Sequence, residues 1–495
     1  LNSDHMRHTL ATLIATLAAL IPASAQKPIA PAMSDVLAPF SAKDAKNFAD
    51  PGEVNYPETW FHFVDGNVEK EGITKDLEAI SAAGIRGVQF FHGGNFGGTW
   101  PGVENPVYCL SENWEDILHF TASEAERLGL RFTMQNCPGW SMAGGPWIKP
   151  ENAMRMLVMS RTDVKGGQKL SVNLPVSERW LSDERDYRDI SVIAFPMPIG
   201  DGPDDGCVYS MKDRIMIPED KSPWTMDIEL DRPETLRTLV ISNARTWSHD
   251  YAYEPEATVK LEALEDDGSA KTVLCTPMPM GAWQMSEGNI TLALDECVAK
   301  KLRLTITHRH EINLETVRLL SAARKNGWEM QAGWALYGIP HESEFVSQAK
   351  ESYIPAGSPV DISDKMDASG KLVWDAPEGD WCIMRFGHVN KCMTNSPAPE
   401  EATGWECDKF SPDGVDANFD GYIGKYEQGP VKGLLSGMLM DSWECQTQTW
   451  CNDMEKDFRE YAGYELRPWM PALYGYVIGD QRATARFLRD WRGLT

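Results

Sequence analysis

Positive charge is what this sequence has least of for its size: 47 Lys and Arg stand against 73 Asp and Glu, a formal net charge of −26. A nucleic acid asks for a basic surface, so that class of partner is excluded, and an anionic membrane is an equally poor match. Histidine is scarce, with ten residues, and the ten cysteines include no Cys-x-x-Cys pair, so the usual zinc-site spacing is missing. Neither a Gly-x-Ser-x-Gly elbow nor a Walker loop occurs, which argues against acyl transfer and nucleotide hydrolysis. No EF-hand-like Asp/Asn/Gly spacing is present either. Beyond residues 10–21 there is no long apolar run, and that one is too short to span a bilayer as a helix.

What remains is the composition of a globular protein, 42% hydrophobic and 24% charged. A length of 495 residues predicts two or three domains. Eighteen tryptophans are many. Most serve a core, yet flat aromatic surfaces are also what sugar rings pack against. After Met6, the basic Arg7 and His8, the apolar run and Ala23-Ser24-Ala25 read as a secretory signal peptide. The first five residues read as a vector remnant, so 1–25 is set aside and the protein is expected to be exported, periplasmic or extracellular. An oxidising compartment permits disulfides, and Cys445 with Cys451, or Cys392 with Cys407, are the two pairings considered beside free thiols.

From about residue 55, short apolar strands alternate with amphipathic helices. "PETWFHFVD" (57–65), "GVQFF" (87–91) and "RFTMQN" (131–136) read as strands. Between them Ile73, Leu77 and Ile80, then Trp114, Ile117, Leu118, Ala125 and Leu128, recur at helical spacing, with Gly84 and Gly129 at the helix ends. That alternation predicts βαβ units and parallel pairing, with the active site in the loops that follow the strands. After residue 155 the period becomes two. "KLSVNL" (169–174), "DISVIAF" (189–195), "TMDIEL" (225–230), "LRTLVIS" (236–242), "ATVKLEAL" (257–264), "ITLAL" (290–294), "KKLRLTIT" (300–307), "KLVWDAP" (371–377) and "WCIMRFG" (381–387) predict an antiparallel sandwich. A helix over 414–428, a strand over 433–440 and a helix carrying Trp450, Met454, Phe458 and Tyr461 on one face then resume the first pattern. The expected fold class is α/β, a partial (β/α)8-type barrel over 45–155 and 390–495 with an antiparallel β-sandwich inserted over 156–385. A closed barrel needs eight units against about four here, and the ending "RFLRDWRGLT" reads as cut.

Four segments carry a resemblance: "GITKDLEAISAAGIRGVQFF" (72–91), "AERLGLRFTMQNCPGWSMAGGPWIKPE" (125–151), "TGWECDKFS" (403–411) and "GMLMDSWE" (437–444). In order and spacing they are similar to the bacterial α-L-rhamnosidases of glycoside hydrolase family 106. The resemblance implies a (β/α)8 barrel with β-sandwich domains, inverting release of terminal α-L-rhamnose from a glycan or glycoside, and calcium. It also implies an N-terminal portion, because members of that family are about twice as long. The glutamate of the family's Asp-Ser-aromatic-Glu motif is its general acid, and Glu444 matches that position. Such an acid must keep its proton near neutral pH, which aromatic walls favour. Trp443 is such a wall. Inversion needs a second carboxylate about 6.5–9.5 Å away. The family's base lies on a later strand, expected beyond residue 495, so this chain alone is expected to be inactive.

The residues read as substrate contacts are Trp60, His62, Asp65, His92, Trp140, Trp147, Glu406, Asp408, Asp441 and Trp443, each in or beside a loop that follows a strand. For Glu406 and Asp408 a salt bridge to Lys409 is an equal reading beside a sugar or cation contact. A structural role is an even alternative for His62 and His92. His308 and His310 share a strand face and read as surface. No metal ligand set can be placed. The rival class is a carbohydrate-binding protein without catalysis, with the sandwich as a lectin-like module.

Overall fold

The computed structural model describes residues 37–52, 55–94, 103–141, 143–244, 257–277, 289–335 and 345–495. The expected leader lies outside them, as do positions 95–98 of the glycine-rich "HGGNFGG" loop. The chain divides into two compact units, one made of residues up to Asn136 with Ile423–Met440, the other of Cys137–Tyr422 with Asp441–Thr495.

In the first unit the strands Glu58–Val64, Gly87–Gly93, Arg131–Gln135 and Gly437–Leu439 lie side by side in that order, every neighbouring pair parallel. The helices Lys70–Ala82 and Glu112–Arg127 make the crossovers. Ser111 starts the second helix by accepting the Trp114 N–H at 3.2 Å, and Glu112, Glu115 and Arg127 complement its dipole. Phe90 meets Phe63, Trp114 and Phe132 in the core of this unit. Truncating such a ring to alanine costs about 3–5 kcal/mol.

Two expected elements are shorter than the sequence suggests. The strand over 433–440 contracts to Gly437–Leu439, because Gly433 turns at φ +75° and Ser436 clamps the adjacent strand. Its N–H donates to Phe132 O and its hydroxyl accepts from Phe132 N. The helix over 414–428 is two, Pro412–Gly421 and Ile423–Glu427. It breaks at Tyr422, whose ring stacks on Trp147 at 5.4 Å, in a stretch whose glycines weaken the helix.

The second unit holds the antiparallel sheets. The larger has seven strands and buries Leu239, Leu261, Leu304 and Leu319 in one core. Its two long strands, Trp224–Ala244 and Asn289–His308, each replace an expected pair of short ones. The turn-like residues Asp231, Arg232 and Pro233 sit at a shift of pairing register between Glu229 and Glu234, where a strand accepts proline without ending. The strands Ala270–Pro277 and Ile312–Leu320 and the short Cys207–Ser210 and Ile215–Ile217, which the periodicity does not reveal, complete the sheet. His308 is 6% exposed rather than on the surface.

The smaller sheet orders Val360–Asp361, Arg188–Pro196, Asp380–Asn390 and Arg155–Lys165. Its Phe195, Met384 and Phe386 share a core with Trp450, with Met454 and Phe458 of helix Met454–Ala462, and with Phe487 and Trp491 of helix Gln481–Leu494. The last helices therefore pack on an antiparallel sheet, and after residue 390 only Ile423–Met440 belongs to the parallel unit. Tyr461, expected beside Met454 and Phe458, is 57% exposed, one residue from the end of its helix. All ten cysteines are unbridged. No helix of the described residues is long and apolar enough to cross a membrane.

Candidate active site

In the first unit, Trp60 and His62 project from the face of strand Glu58–Val64 opposite buried Phe61 and Phe63. Trp60 is 49% exposed, with its ring 5.0 Å from His62 and stacked on Phe91 at 6.4 Å. An exposed indole beside an imidazole is a surface on which a sugar ring can pack. Asp65 turns the chain at the strand's end with φ +50°, and its N–H donates to Gly93 O at 3.2 Å. Gly66 follows at φ +69°, where a Cβ would meet Val107 O at 2.2 Å, so only glycine fits that turn.

His92 departs from the expected role of sugar contact. It is 1% exposed, and its Nδ1 accepts the Trp114 indole N–H at 2.9 Å. That bond leaves the ring proton on Nε2, and burial lowers the pKa to about 3. His92 is a neutral buried partner of Trp114, reached by no open surface.

In the second unit, the two most distinctive strings prove to be halves of one device. Trp405–Glu406 pairs antiparallel with Gly144–Gly145. A Cβ on Gly404 would lie 2.0 Å from Gly145 C, and one on Gly144 would lie 2.6 Å from Trp405 O. The "AGGPW" glycines are there because two backbones approach this closely. Asn395, fully buried, ties the bridge together: its Nδ2 donates to Pro138 O and Ala402 O, and its Oδ1 accepts from Gly404 N at 2.9 Å. Trp147 packs against Gly145 and Gly421 while its indole N–H donates to Asn418 Oδ1 at 3.3 Å. Trp140 stays half-buried, its N–H on Pro397 O at 3.2 Å.

The bridge delivers Glu406 and Asp408 into the interior, 0% and 1% exposed. Glu406 Oε2 accepts from Lys409 Nζ at 2.5 Å, so the salt-bridge reading holds for this residue. Asp408 Oδ1 accepts from Gln448 Nε2 at 2.5 Å and from Phe410 N at 3.0 Å, and burial raises its carboxyl above the usual aspartate range. Gln448 Oε1 in turn accepts the Lys409 N–H at 3.1 Å. Cys445 faces the same pair: burial and then the Glu406 charge push its thiol up to about 11, which makes it inert.

Above this base runs the loop that follows Met440. Asp441 and Glu444 are half-buried. Ser442 Oγ donates to Glu444 Oε1 at 2.7 Å, and the Trp443 indole N–H donates to Gln446 O. Lys409 Nζ lies 5.0 Å from the centroid of the Trp443 ring. The loop is thus held from below by Lys409 and by two polar side chains the sequence did not single out: Gln448, and Lys391, whose Nζ donates to Thr447 O at 2.6 Å. No local pattern marks them. Only the fold brings together residues 39 and 56 positions apart in the chain.

Calcium takes six to eight oxygen ligands. Glu406 Oε1 and Asp408 Oδ2 are buried oxygens without a hydrogen-bond partner among the described residues. However, the Lys409 ammonium already neutralises Glu406, and no group of three or more acidic, His or Cys side chains able to hold a metal occurs among the described residues. Among the described residues, Glu406 and Asp408 do not fit a calcium site.

The Glyco_hydro_106 family profile, described as alpha-L-rhamnosidase, matches residues 49–494. A solved structure of a rhamnosidase from Novosphingobium sp. PP1Y is similar at a TM-score of 0.70 and 27% identity, covering 91% of this chain and 44% of that one. A curated protein of Formosa agariphila, provisionally named a beta-glucuronidase, is 29% identical over 459 residues, 92% of this chain and 28% of its own length. The chain therefore spans less than half the length of both proteins.

Proposed function

The chain belongs to the Glyco_hydro_106 family of alpha-L-rhamnosidases, and from that premise we propose that it forms part of a glycoside hydrolase releasing terminal α-L-rhamnose with inversion. The observation that carries this reading is the placement of Glu444. It sits half-exposed in a strand-end loop, held by the Ser442 hydroxyl and next in the chain to Trp443, whose ring lies 5.0 Å from Lys409 Nζ.

Chemically, a hydroxyl that donates to Oε1 leaves Oε2 to carry the acid proton. A carboxyl so oriented can protonate the glycosidic oxygen as the bond to the sugar breaks, typically worth ~10²–10⁴-fold in rate. The water-activating carboxylate of an inverting pair is assigned outside this chain, together with the further strands of a (β/α)8 barrel. The partial coverage of the solved rhamnosidase supports that assignment. Asp441, in the loop that carries Glu444, is the proposed sugar contact beside the acid, and Trp60 and His62 are by themselves a proposed sugar-packing surface of the first unit. Calcium stays an implication of the family. Export by the N-terminal leader is likewise a proposal.

A second reading, a β-glucuronidase, is favoured by the provisional name of the Formosa relative. One screen separates them: the protein extended to the length of its relatives, assayed on nitrophenyl α-L-rhamnoside, α-L-fucoside and β-D-glucuronide. Release from the rhamnoside alone supports the proposal. Release from another sugar alone reassigns the substrate, and release from none favours a carbohydrate-binding protein without catalysis.

A further inference from the structure

Lys409 touches the acid-bearing loop in two ways. Its backbone N–H donates to Gln448 Oε1 at 3.1 Å, and its ammonium lies 5.0 Å from the centroid of the Trp443 ring. The ammonium is itself fixed. Glu406 Oε2 holds it at 2.5 Å, and the two side chains are 8% and 0% exposed. A lysine tail in water samples many rotamers, whereas this one has a single buried carboxylate to point at and an aromatic face beside it. Cation–π attraction is strongest where, as here, the cation has lost its water. Trp443 cannot tilt without leaving that cation, and its indole N–H is also committed to Gln446 O. The next residue is Glu444.

We propose that Lys409, pinned by Glu406, is a positioning residue that holds the Trp443 ring and thereby sets the place of the Glu444 carboxyl. This rests on the reading of Glu444 as the general acid. The pair touches no substrate in this account. It acts only through Trp443, so its loss should misplace proton donation without weakening the grip on the sugar.

Lys409→Met alone would strand the buried Glu406 charge and threaten folding. The variant to test is therefore the double substitution Glu406→Gln with Lys409→Met, which removes both charges and keeps the volume, alongside Lys409→Arg, which keeps a cation. The protein extended to the length of its relatives is assayed on an alkyl rhamnoside, whose leaving group needs protonation, and on an activated aryl rhamnoside, which does not. The double variant is expected to lose roughly ten- to a hundred-fold in kcat on the alkyl substrate, the cost of a misplaced catalytic group. On the aryl substrate kcat should stay within about threefold, with KM unchanged on both, and Lys409→Arg should recover most of the alkyl rate. A folded double variant that loses nothing, or loses equally on both substrates, overturns the proposal while leaving the rhamnosidase reading intact. A parent protein that cleaves neither substrate overturns the rhamnosidase reading and this proposal with it.

Discussion

Gln448 hands the buried carboxyl of Asp408 a 2.5 Å hydrogen bond while its own carbonyl oxygen accepts the Lys409 N–H, so one amide side chain couples two segments some forty residues apart. Burial raises the Asp408 pKa in the folded state above its unfolded value. The sign follows from linkage. Below the unfolded pKa both states are protonated and no penalty arises. As the pH rises through the ordinary aspartate range toward the folded pKa, stability is lost. Asp408→Asn keeps an acceptor for Gln448 and for Phe410 N and removes the charge. Its melting temperature is expected to match the parent at pH 3 and to exceed it at pH 7. A variant that matches the parent at pH 3 but melts below it at pH 7 would mean that the charge stabilises the loop.

For His92 the folded pKa of about 3 lies below the ordinary value of 6.5. Protonation therefore favours the unfolded chain, and this histidine contributes stability that fades as the pH falls from 6.5 toward 3, by up to about 1.4 kcal/mol per pH unit. Carbon-labelled imidazole resonances should show His92 neutral throughout pH 4–8. A midpoint near 6.5 would mean that the ring reaches solvent and return it to the candidate sugar contacts.

The bridge between Trp405–Glu406 and Gly144–Gly145 makes its own prediction. A methyl at Gly404 collides with backbone, which cannot swing aside. Gly404→Ala is expected to destabilise by about 3 kcal/mol or more. Gly202, where a Cβ meets nothing within 4 Å, serves as the control and should tolerate alanine within about 0.5 kcal/mol. Urea midpoints of the two variants decide it, and equal midpoints would mean that the two backbones do not approach in solution.

Ser442 supplies a smaller effect. Its bond to Glu444 Oε1 is worth about 0.5–1.5 kcal/mol, so Ser442→Ala should slow cleavage of an alkyl rhamnoside roughly two- to twelve-fold. An unchanged rate would show that Ser442 does not orient the acid.

The parallel strands were legible because Phe61, Phe63, Phe90 and Phe132 make short apolar runs between helices with clear starts and glycine ends. Sheet membership was less so. Pro233 looks like the end of a strand and is only a bulge in one. Helix Met454–Ala462 has the same period whichever sheet it covers, and its place on the antiparallel one depends on Phe195 and Phe386, far away in sequence. Glu444 was visible through its motif. Asn395, Lys391 and Gln448 were not, because each acts by bridging segments that only the fold brings together.

The claim on which the rest depends is that Glu444 protonates the leaving group, and a leaving-group series on Glu444→Gln tests it most directly. In the protein extended to the length of its relatives, the variant should lose ~10²–10⁴-fold in kcat on an alkyl rhamnoside and far less on an activated aryl rhamnoside. Asp441→Asn should impair both about equally, since binding the sugar is indifferent to leaving-group basicity. A folded Glu444→Gln that turns over the alkyl rhamnoside at near the parental rate would contradict the account.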